Sequence, residues 1–322
     1  MQNQYLPEGT LARAWENREY LSSREGLERA AEKGKILEAA VVLCDSRFSL
    51  HVDLGCMKGI MAREEVEWHR AGEEIKDIAI LTRVGKTIAF KILGFSKDEY
   101  GQSIAVLSRR AAQLECMQAY VRGLCVGDII PAKITHMESF GAFVDIGCGI
   151  ISLLSIDCIS VSRISHPSDR FSVDDRIYVI VKSIDTLGRI YVSHRELLGT
   201  WEENAALFSI GQTVSGTVRS IESYGIFIEL TPNLAGLAEF RSGIEINQRA
   251  AVYIKNIIPE KMKVKLVIID TGTPDEANKS IRYFIDGKAR AHIDSWVYSP
   301  AVCQRTVESD FSSAQSFNQT LI

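Results

Sequence analysis

Alternating apolar and polar positions dominate the middle of the chain and predict β-strands. Three such stretches are ILEAAVVL at 36–43, DIIPAKITHM at 128–137 and QTVSGTVRSI at 212–221. They are rich in Val, Ile and Thr, and turn residues such as Gly, Asp, Asn and Pro separate them from the next strand-like run. Each stretch is followed by the same series of shorter strand-like runs. The pattern therefore predicts a mainly β chain in which one unit occurs three times.

One short phrase makes the repeat visible. VDLG at 52–55 returns as VDIG at 144–147 and, more loosely, as IFIEL at 226–230. Each copy belongs to a series of five strand-like runs with a less regular, partly helical segment after the third. That order is typical of the OB-fold, a small five-stranded Greek-key barrel. We predict three tandem barrels, at 34–113, 126–198 and 209–270. In the third barrel the inserted helix is nearly absent.

The segments outside the barrels have a different composition. The N-terminal segment 1–33 contains a proline-free stretch of Ala, Glu, Arg and Leu that predicts amphipathic helices. Residues 114–125 and 199–208 are predicted helical connectors. The remainder, 271–322, is predicted to be a short α/β extension with a further strand at 281–287 and a polar, disordered tail.

Composition and charge narrow the class of protein. Hydrophobic residues make up 46% and charged residues 24% of the 322 residues, which is typical of a soluble globular protein. No run approaches the roughly 18 apolar residues of a membrane helix, and the N-terminus lacks the basic-then-apolar pattern of a signal peptide. We therefore predict a cytoplasmic protein that does not bind membranes. The net charge of −4 argues against strong nonspecific nucleic-acid binding but permits local basic patches.

Motifs of enzymatic or metal chemistry are absent from the sequence. It contains no GxxxxGK[ST], HExxH or GxSxG motif and no glycine-rich dinucleotide loop. The seven cysteines form no CxxC pair, which predicts reduced thiols and no zinc site. We predict a non-enzymatic protein without cofactor, metal or small-molecule substrate.

Four motifs of the second unit occur in the order of a known family. They are Gly127-Asp128, SFGAFVDIG at 139–147, the turn from Asp185 to Arg189, and VSHR at 192–195. Together they resemble the S1-type RNA-binding domain, named for the large RNA-binding protein of the bacterial small ribosomal subunit. The first unit repeats VDLG and ends in LSRR, and the third carries SYGIFIEL and AGLAE. The layout of the chain also resembles that of the S1-domain proteins of clostridial bacteria.

The resemblance implies which residues face RNA. In that family the surface uses two aromatic residues on strands two and three, a histidine at the end of strand three, and an Asp and an Arg near strand five. The matches in the second unit are Phe140, Phe143, Asp185 and Arg189, with Ser155 at the histidine position. The matches in the first unit are Phe48 and His51, with Ala62 at the histidine position and no clear match to the Asp and Arg, so this barrel is predicted to be degenerate and structural. The matches in the third unit are Tyr224 and Phe227, with Glu239 at the histidine position.

Basic residues near these positions are candidate phosphate contacts. In the second unit they are Lys133, Arg163 and Arg195, in addition to Arg189. In the third unit Lys263 stands between Lys261 and Lys265, and alternating residues of a strand share one face.

The spacing of Phe140 and Phe143 leaves two interpretations open. Residues three apart face opposite sides of a regular strand, so the two rings share a surface only if the chain bends or bulges at Gly141. One interpretation is aromatic packing in a core. The other is an exposed platform on which bases stack, each stacked base contributing about 1–3 kcal/mol. Three aligned copies of the pattern favour the platform.

The leading functional prediction is a protein that binds single-stranded RNA and acts in translation, with the small ribosomal subunit as a partner. Two alternatives remain open. The first is a protein-interaction scaffold whose barrels have lost RNA binding, which the acidic net charge, Ser155 and Glu239 favour. The second is an accessory factor in RNA decay or regulation, since one domain type serves many RNA processes.

Overall fold

A computed structural model describes residues 5–69, 75–272 and 281–312. Its contacts divide the chain into two compact units. The first comprises Met1–Leu124 with Asp145–Ile151, and the second comprises Cys125–Val144 with Ser152–Ile322. Within the described ranges, no helix combines the length and the apolar character that a membrane span requires.

Three closed five-stranded barrels account for most of the described chain, and all have the strand order one-two-three-five-four. The first strand pairs antiparallel with the fourth, and the third pairs parallel with the fifth. Barrel one contains β1 (Leu37–Cys44), β2 (Leu50–Asp53), β3 (Lys58–Met61), β4 (Thr87–Lys97) and β5 (Ser103–Ser108). Barrel two contains β6 (Ile129–Glu138), β7 (Gly141–Asp145), β8 (Ile151–Ser155), β9 (Arg176–Ile184) and β10 (Ile190–Ser193). Barrel three contains β11 (Thr213–Glu222), β12 (Gly225–Thr231), β13 (Leu234–Ala238), β14 (Arg249–Ile258) and β15 (Lys263–Thr271). The prediction of a mainly β chain with three tandem OB barrels is confirmed.

Short helices flank barrel one and lie in its insert. The N-terminal segment forms α1 (Trp15–Leu21) and α2 (Arg24–Glu32), and the Ser23 hydroxyl accepts the Gly26 N–H to cap α2. The insert of barrel one contains α3 (Asp77–Leu81). After the last strand comes α4 (Arg109–Ala119), capped by the Ser108 hydroxyl. Leu27 and Ala30 of α2 are fully buried in the same core as the barrel strands, so α2 closes one end of the core of barrel one.

The C-terminal extension packs on barrel two. The Ile129 N–H donates to Ala291 O at 2.8 Å, and the Ile293 N–H donates to Gly127 O at 3.0 Å, so the extension continues the hydrogen bonding of β6. A two-stranded sheet follows, with β16 (Ser295–Val297) and β17 (Glu308–Asp310).

The C-terminal extension differs from the prediction at residues 281–287. The prediction of a strand at 281–287 was wrong, because this segment is irregular. Its Tyr283 and Phe284 side chains pack on barrel two and on the connector. Residues 281–312 contain the two-stranded sheet and no helix. The predicted disordered tail falls at 313–322, outside the described residues.

A buried histidine and a buried asparagine organise the second unit. His194 contacts Ile159 O at 3.0 Å and the Tyr283 hydroxyl at 3.2 Å, and burial lowers its pKa to about 4, so it is neutral at pH 7. Asn233 lies between β12 and β13, where its side chain accepts the Val161 N–H at 3.0 Å and donates to Arg195 O and Gly199 O at 2.8 Å each. Asn233 thereby ties barrel three to barrel two and to the connector, which contains α5 (Trp201–Ala205).

Buried charges hold the first unit together. The Arg109 guanidinium is fully buried and donates to the Glu8 carboxylate at 2.6 Å, while the Glu8 N–H donates to Asp145 Oδ2 at 2.7 Å. Glu38 Oε2 accepts the Gly9 N–H and the Ala12 N–H at 3.1 and 2.8 Å, but Glu38 Oε1 has no hydrogen-bond partner among residues 5–69, 75–272 and 281–312. Burial raises the pKa of Glu38 to about 7 and that of Asp145 to about 7. Burial would also raise the pKa of Glu8, but Arg109 lowers it below its ordinary value.

These shifts predict that the first unit loses stability as the pH rises from 5 to 8. A carboxyl group whose pKa is higher in the folded state stabilises the fold below its unfolded pKa, and this contribution is lost as the pH rises through the folded pKa. For Glu38, a rise from 4.5 to about 7 corresponds to about 3 kcal/mol, at about 1.4 kcal/mol for each tenfold change in the protonation equilibrium. Glu38→Gln, which cannot ionise, is expected to flatten the dependence. Hydrogen exchange of the β1 peptide at several pH values measures it for this unit alone.

The matched control is Glu25→Gln, which makes the same chemical change at an exposed position. It is expected to keep the wild-type slope. A Glu38→Gln protein whose β1 protection still falls with pH as steeply as the wild type would contradict the assignment.

Candidate nucleic-acid interface

A row of three partly exposed side chains crosses strands two, three and five of each barrel. Their neighbours along the strands are buried, as Ala142 and Val144 show for β7. In barrel one the row is His51, Ile60 and Val106, paired across the strands. In barrel two it contains Phe143 and the pair Leu153 and Tyr191. In barrel three it is Phe227, Leu237 and Lys265. Of the predicted positions, His51, Phe143 and Phe227 therefore lie on the outside of the barrels.

In barrel two, three rings form a surface group. Phe140 is 54% exposed and contacts Phe143 edge to face, with ring centroids 6.0 Å apart and planes at 89°. His136 stacks on Phe143 with centroids 6.1 Å apart, and its Nε2 lies 2.7 Å from Glu138 Oε1. We name His136, Phe140 and Phe143 the barrel-two aromatic group. His136 was not among the predicted site residues. Its place three residues before the SFGAF motif was the available signal.

Phe140 and Phe143 share this surface because the chain bends in a tight turn, which is one of the two causes that the sequence left open. Phe140 lies in the turn before β7, and Gly141 is the first residue of that strand. A Cβ at Gly141 would lie 2.5 Å from Leu154 O and 3.0 Å from Ser155 Cα, so only glycine allows the turn to approach the end of β8. The Ile156 N–H then donates to Phe140 O at 2.9 Å and fixes the turn.

Barrel three repeats the arrangement. Tyr224 is 67% exposed and contacts Phe227 edge to face, with centroids 6.1 Å apart and planes at 88°. Gly225 adopts a φ of +153°, and a Cβ there would lie 2.5 Å from Ala238 O. The register irregularity of this hairpin falls on strand one, between Val218 and Ser220. We name Tyr224 and Phe227 the barrel-three aromatic group.

Barrel one differs from the other two, because charged side chains engage both Phe48 and His51. Phe48 packs against the barrel core, and the Arg63 guanidinium covers its ring at 4.8 Å from the centroid. Arg63 is held by the Asp77 carboxylate at 2.6 Å. The His51 ring is engaged by the Asp45 carboxylate at 3.2 Å.

Asp185 and Arg189 lie together at the edge of the barrel-two surface. Asp185 Oδ1 accepts the Leu187 and Arg189 N–H groups at 2.9 and 2.8 Å, and Oδ2 accepts the Arg189 Nε–H at 2.8 Å. The hydrogen bond from the Arg189 backbone, aided by its guanidinium, lowers the pKa of Asp185. Asp185 therefore shapes the β9–β10 turn and orients Arg189, rather than offering a free carboxylate to a ligand.

Lys263 occupies the equivalent position in barrel three. Arg189 precedes Tyr191 by two residues, and Lys263 precedes Lys265 by two, while Tyr191 and Lys265 make the same parallel pairing with the third strand. Lys263 and Lys265 are exposed and Val264 between them is buried, so the two lysines share the outer face. Tyr191 was missed as a site residue. Its alternation with the buried Ile190 and Val192 was the signal that could have found it.

Two predicted phosphate contacts serve the structure instead. Lys133 is only 18% exposed in its side chain and pairs with Asp174 at 3.0 Å. Arg195 donates to Ser309 Oγ at 3.3 Å and lies over the Trp296 ring at 5.9 Å, so it fastens the C-terminal extension. Arg163 is exposed, and its guanidinium has no hydrogen-bond or ion-pair partner among the described residues. Among all residues that the structure describes, no group of three His, Cys, Asp or Glu side chains is placed to hold a metal ion.

Comparisons with known proteins agree with this architecture. The family model of the S1 RNA binding domain matches residues 30–106 and 124–195. The matched residues do not include barrel three, whose strand order nevertheless equals that of the other two. The predicted resemblance to the S1-type domain is confirmed, and the narrower resemblance to clostridial proteins stays a prediction.

Curated relatives resemble the chain over most of its length. The small ribosomal subunit protein bS1 homolog of Bacillus subtilis is 29% identical over 82% of this chain and 64% of the relative. Small ribosomal subunit protein bS1 of Rhizobium meliloti is 26% identical over 83% of this chain and 48% of the relative. The chain thus spans less than two thirds of the length of these relatives. A solved multidomain protein with nucleic acid binding domains from Streptococcus pneumoniae is 14% identical and covers 74% of each chain at a TM-score of 0.24, which carries no weight for the fold.

Gly141→Ala is expected to destabilise barrel two by about 1–3 kcal/mol, the usual effect of overpacking, because the added methyl group collides with the end of β8. The matched control is Gly94→Ala, since a Cβ at Gly94 meets nothing within 4 Å. Hydrogen exchange of the β7–β8 peptides and thermal denaturation measure the effect. Equal protection and equal melting of the two variants would contradict the steric role assigned to Gly141.

Proposed function

We propose that this chain, an S1-type protein similar to bacterial bS1 proteins, binds single-stranded RNA on barrels two and three. One observation carries the proposal. Two barrels present the same open edge-to-face aromatic pair on the outer face, and each has a cation at the same edge, Arg189 in barrel two and Lys263 in barrel three. An exposed aromatic pair beside a cation suits a chain of flat bases joined by phosphates.

Aromatic stacking and charge would make separate contributions to RNA binding. Phe140 and Tyr224 each expose more than half of their surface, so a base can lie on the ring without displacing protein groups. Every base has a π-face, so this contact tolerates any sequence and contributes about 1–3 kcal/mol per base. Arg189 and Lys263 would then meet the phosphates between stacked bases. Single-stranded RNA fits better than duplex, whose bases are already stacked on one another.

The net negative charge of the chain limits the electrostatic contribution to the free energy of RNA binding. With a net charge of −4, few cations are available to replace counterions on the RNA. Each phosphate contact to a single strand contributes a slope of about −0.7 to the dependence of log affinity on log salt concentration. We therefore propose modest affinity with a shallow salt dependence, in which the aromatic groups supply most of the binding free energy.

A role in translation follows from the relatives as a proposal. The relatives are named as small ribosomal subunit proteins, and this chain shares the barrel architecture of their matched segments. We propose a non-enzymatic, cytoplasmic protein that brings messenger RNA to the small ribosomal subunit.

Barrel one favours a second, different role. The ring of Phe48 is covered by Arg63. The strand position equivalent to that of Arg189 is occupied by Ile104, which is buried. A protein-interaction or spacer role therefore suits barrel one, while the RNA-binding role stays with the other two barrels.

Phe140→Ala with Phe143→Ala is expected to lower the affinity for labelled single-stranded RNA at least tenfold, because it removes both rings on which bases stack. Fluorescence anisotropy with the full-length protein at two salt concentrations measures this. Salt should change the affinity of the variant and of the wild type by the same factor, since no cation has been removed.

The control for this variant is Tyr100→Ala, which removes an aromatic ring that is 87% exposed in the β4–β5 turn of barrel one. It should bind RNA as the wild type does. Circular dichroism and thermal denaturation establish that both proteins are folded. A folded double variant with unchanged affinity would disprove the stacking mechanism, and a wild type that binds no RNA at low salt would disprove the proposed function.

A further inference from the structure

The insert of barrel two, residues 156–170, physically links the two aromatic groups. It begins at Ile156, whose N–H donates to Phe140 O at 2.9 Å, so its first residue is fixed to the barrel-two aromatic group. It then runs to Arg170, which is 6% exposed and buried against barrel three. The insert is therefore part of barrel two in sequence and touches both barrels in space.

The far end of the insert lies beside the barrel-three aromatic group. Arg170 donates from Nη1 to Glu229 Oε1 at 2.7 Å, and Arg219 donates from Nε to Glu229 Oε2 at 2.9 Å. Glu229 follows Phe227 by two residues on β12, so both side chains lie on the same side of the strand. Arg219 precedes Ser220, the cross-strand partner of Phe227. The insert thus ends on the outer face that carries the stacking pair of barrel three.

Further contacts fasten the middle of the insert. The Ser162 N–H donates to Pro232 O at 3.1 Å, and the Val161 N–H donates to the Asn233 side chain at 3.0 Å. Glu229, at 8% exposure, has two arginines on its carboxylate, and removing one partner of such a buried charged pair is strongly destabilising. The two barrels therefore meet through a fixed joint and not through a flexible linker.

The insert also supplies what barrel three lacks. Between β13 and β14, all residues are described and none is helical, so barrel three has no helical insert of its own beside its aromatic group. The barrel-two insert lies there instead and exposes Arg163 and Ser165 to solvent. Its last turn is rigid, since His166 accepts the Ser168 N–H at 3.1 Å and Asp169 accepts the Ser165 N–H at 3.0 Å.

We propose that one RNA strand runs from the barrel-two aromatic group across this insert to the barrel-three aromatic group, with Arg163 contacting its phosphates. The inference rests on the proposed function and deepens it, because it makes the two barrels one composite site. The occupant is a polyanion that must cross the insert between two stacking positions, and Arg163 is an exposed cation on the insert with no protein partner among the described residues. Because the joint already fixes the two barrels relative to each other, RNA binding does not have to pay the conformational entropy of ordering them.

The test compares oligouridylates of two lengths on the full chain by fluorescence anisotropy. Since one OB barrel covers about 4–16 nucleotides, a strand of about 5 nucleotides fits one barrel and one of about 20 reaches both. We expect the longer strand to bind at least tenfold more tightly. Arg163→Ala should lower the affinity for the longer strand about threefold or more and leave the shorter strand unaffected. Tyr224→Ala with Phe227→Ala should remove most of the advantage of length.

The matched control is Arg122→Ala, which removes an exposed arginine from the connector before barrel two and changes the net charge equally. It should leave both strands unaffected. Arg163→Ala that behaves like Arg122→Ala, or a wild type that binds both lengths equally, would overturn the composite site while leaving RNA binding intact. A wild type that binds neither strand would instead be a failure of the proposed function.

Discussion

The exposed aromatic surfaces depend on one steric constraint, the close approach of a glycine at the start of strand two to the end of strand three. At Gly141 and Gly225 the missing Cβ leaves room for the carbonyl groups of Leu154 and Ala238, respectively. The preceding aromatic residue is thereby held in the turn, outside the barrel, where it meets the next aromatic residue edge to face. In barrel one the aligned residue is Ser49. There Phe48 adopts a φ of +59° and packs between the core and Arg63.

Buried charges are used differently in the two units. In the second unit, the carboxylate of Glu229 is neutralised by Arg170 and Arg219, so ionised groups are paired at the joint of two barrels. In the first unit, Arg109 neutralises Glu8, but one oxygen of Glu38 has no hydrogen-bond partner in the described part of the chain, and burial raises the pKa of Glu38 to about 7. Because a buried charge is tolerated only when it is paired, the incompletely paired carboxyl groups of the first unit have pKa values raised to about 7.

The barrel joint gives the proposed RNA site its geometry. Asn233 and the Arg170–Glu229 pair connect residues that are far apart in sequence. Barrel three lies beyond the residues matched to the S1 RNA binding domain, yet it carries an exposed aromatic pair and a lysine at the position of Arg189. A barrel that has diverged in sequence can keep such a surface, since the surface requires only a glycine turn, two rings and a cation at fixed registers.

The sequence by itself determined the threefold repeat, the strand order and the aligned aromatic positions. Strand alternation and turn residues are local signals, and three copies reinforce one another, so the barrels and the pairs Phe140/Phe143 and Tyr224/Phe227 could be predicted. Only the tertiary structure decided which charges are available to a ligand. In sequence, nothing distinguishes Arg163 from three other cations of barrel two. In the structure those three have partners far along the chain: Lys133 pairs with Asp174, 41 residues away, Arg195 with Ser309, 114 residues away, and Arg170 with Glu229, 59 residues away. Whether a cation is free depends on contacts across the folded chain, and no local pattern records those contacts.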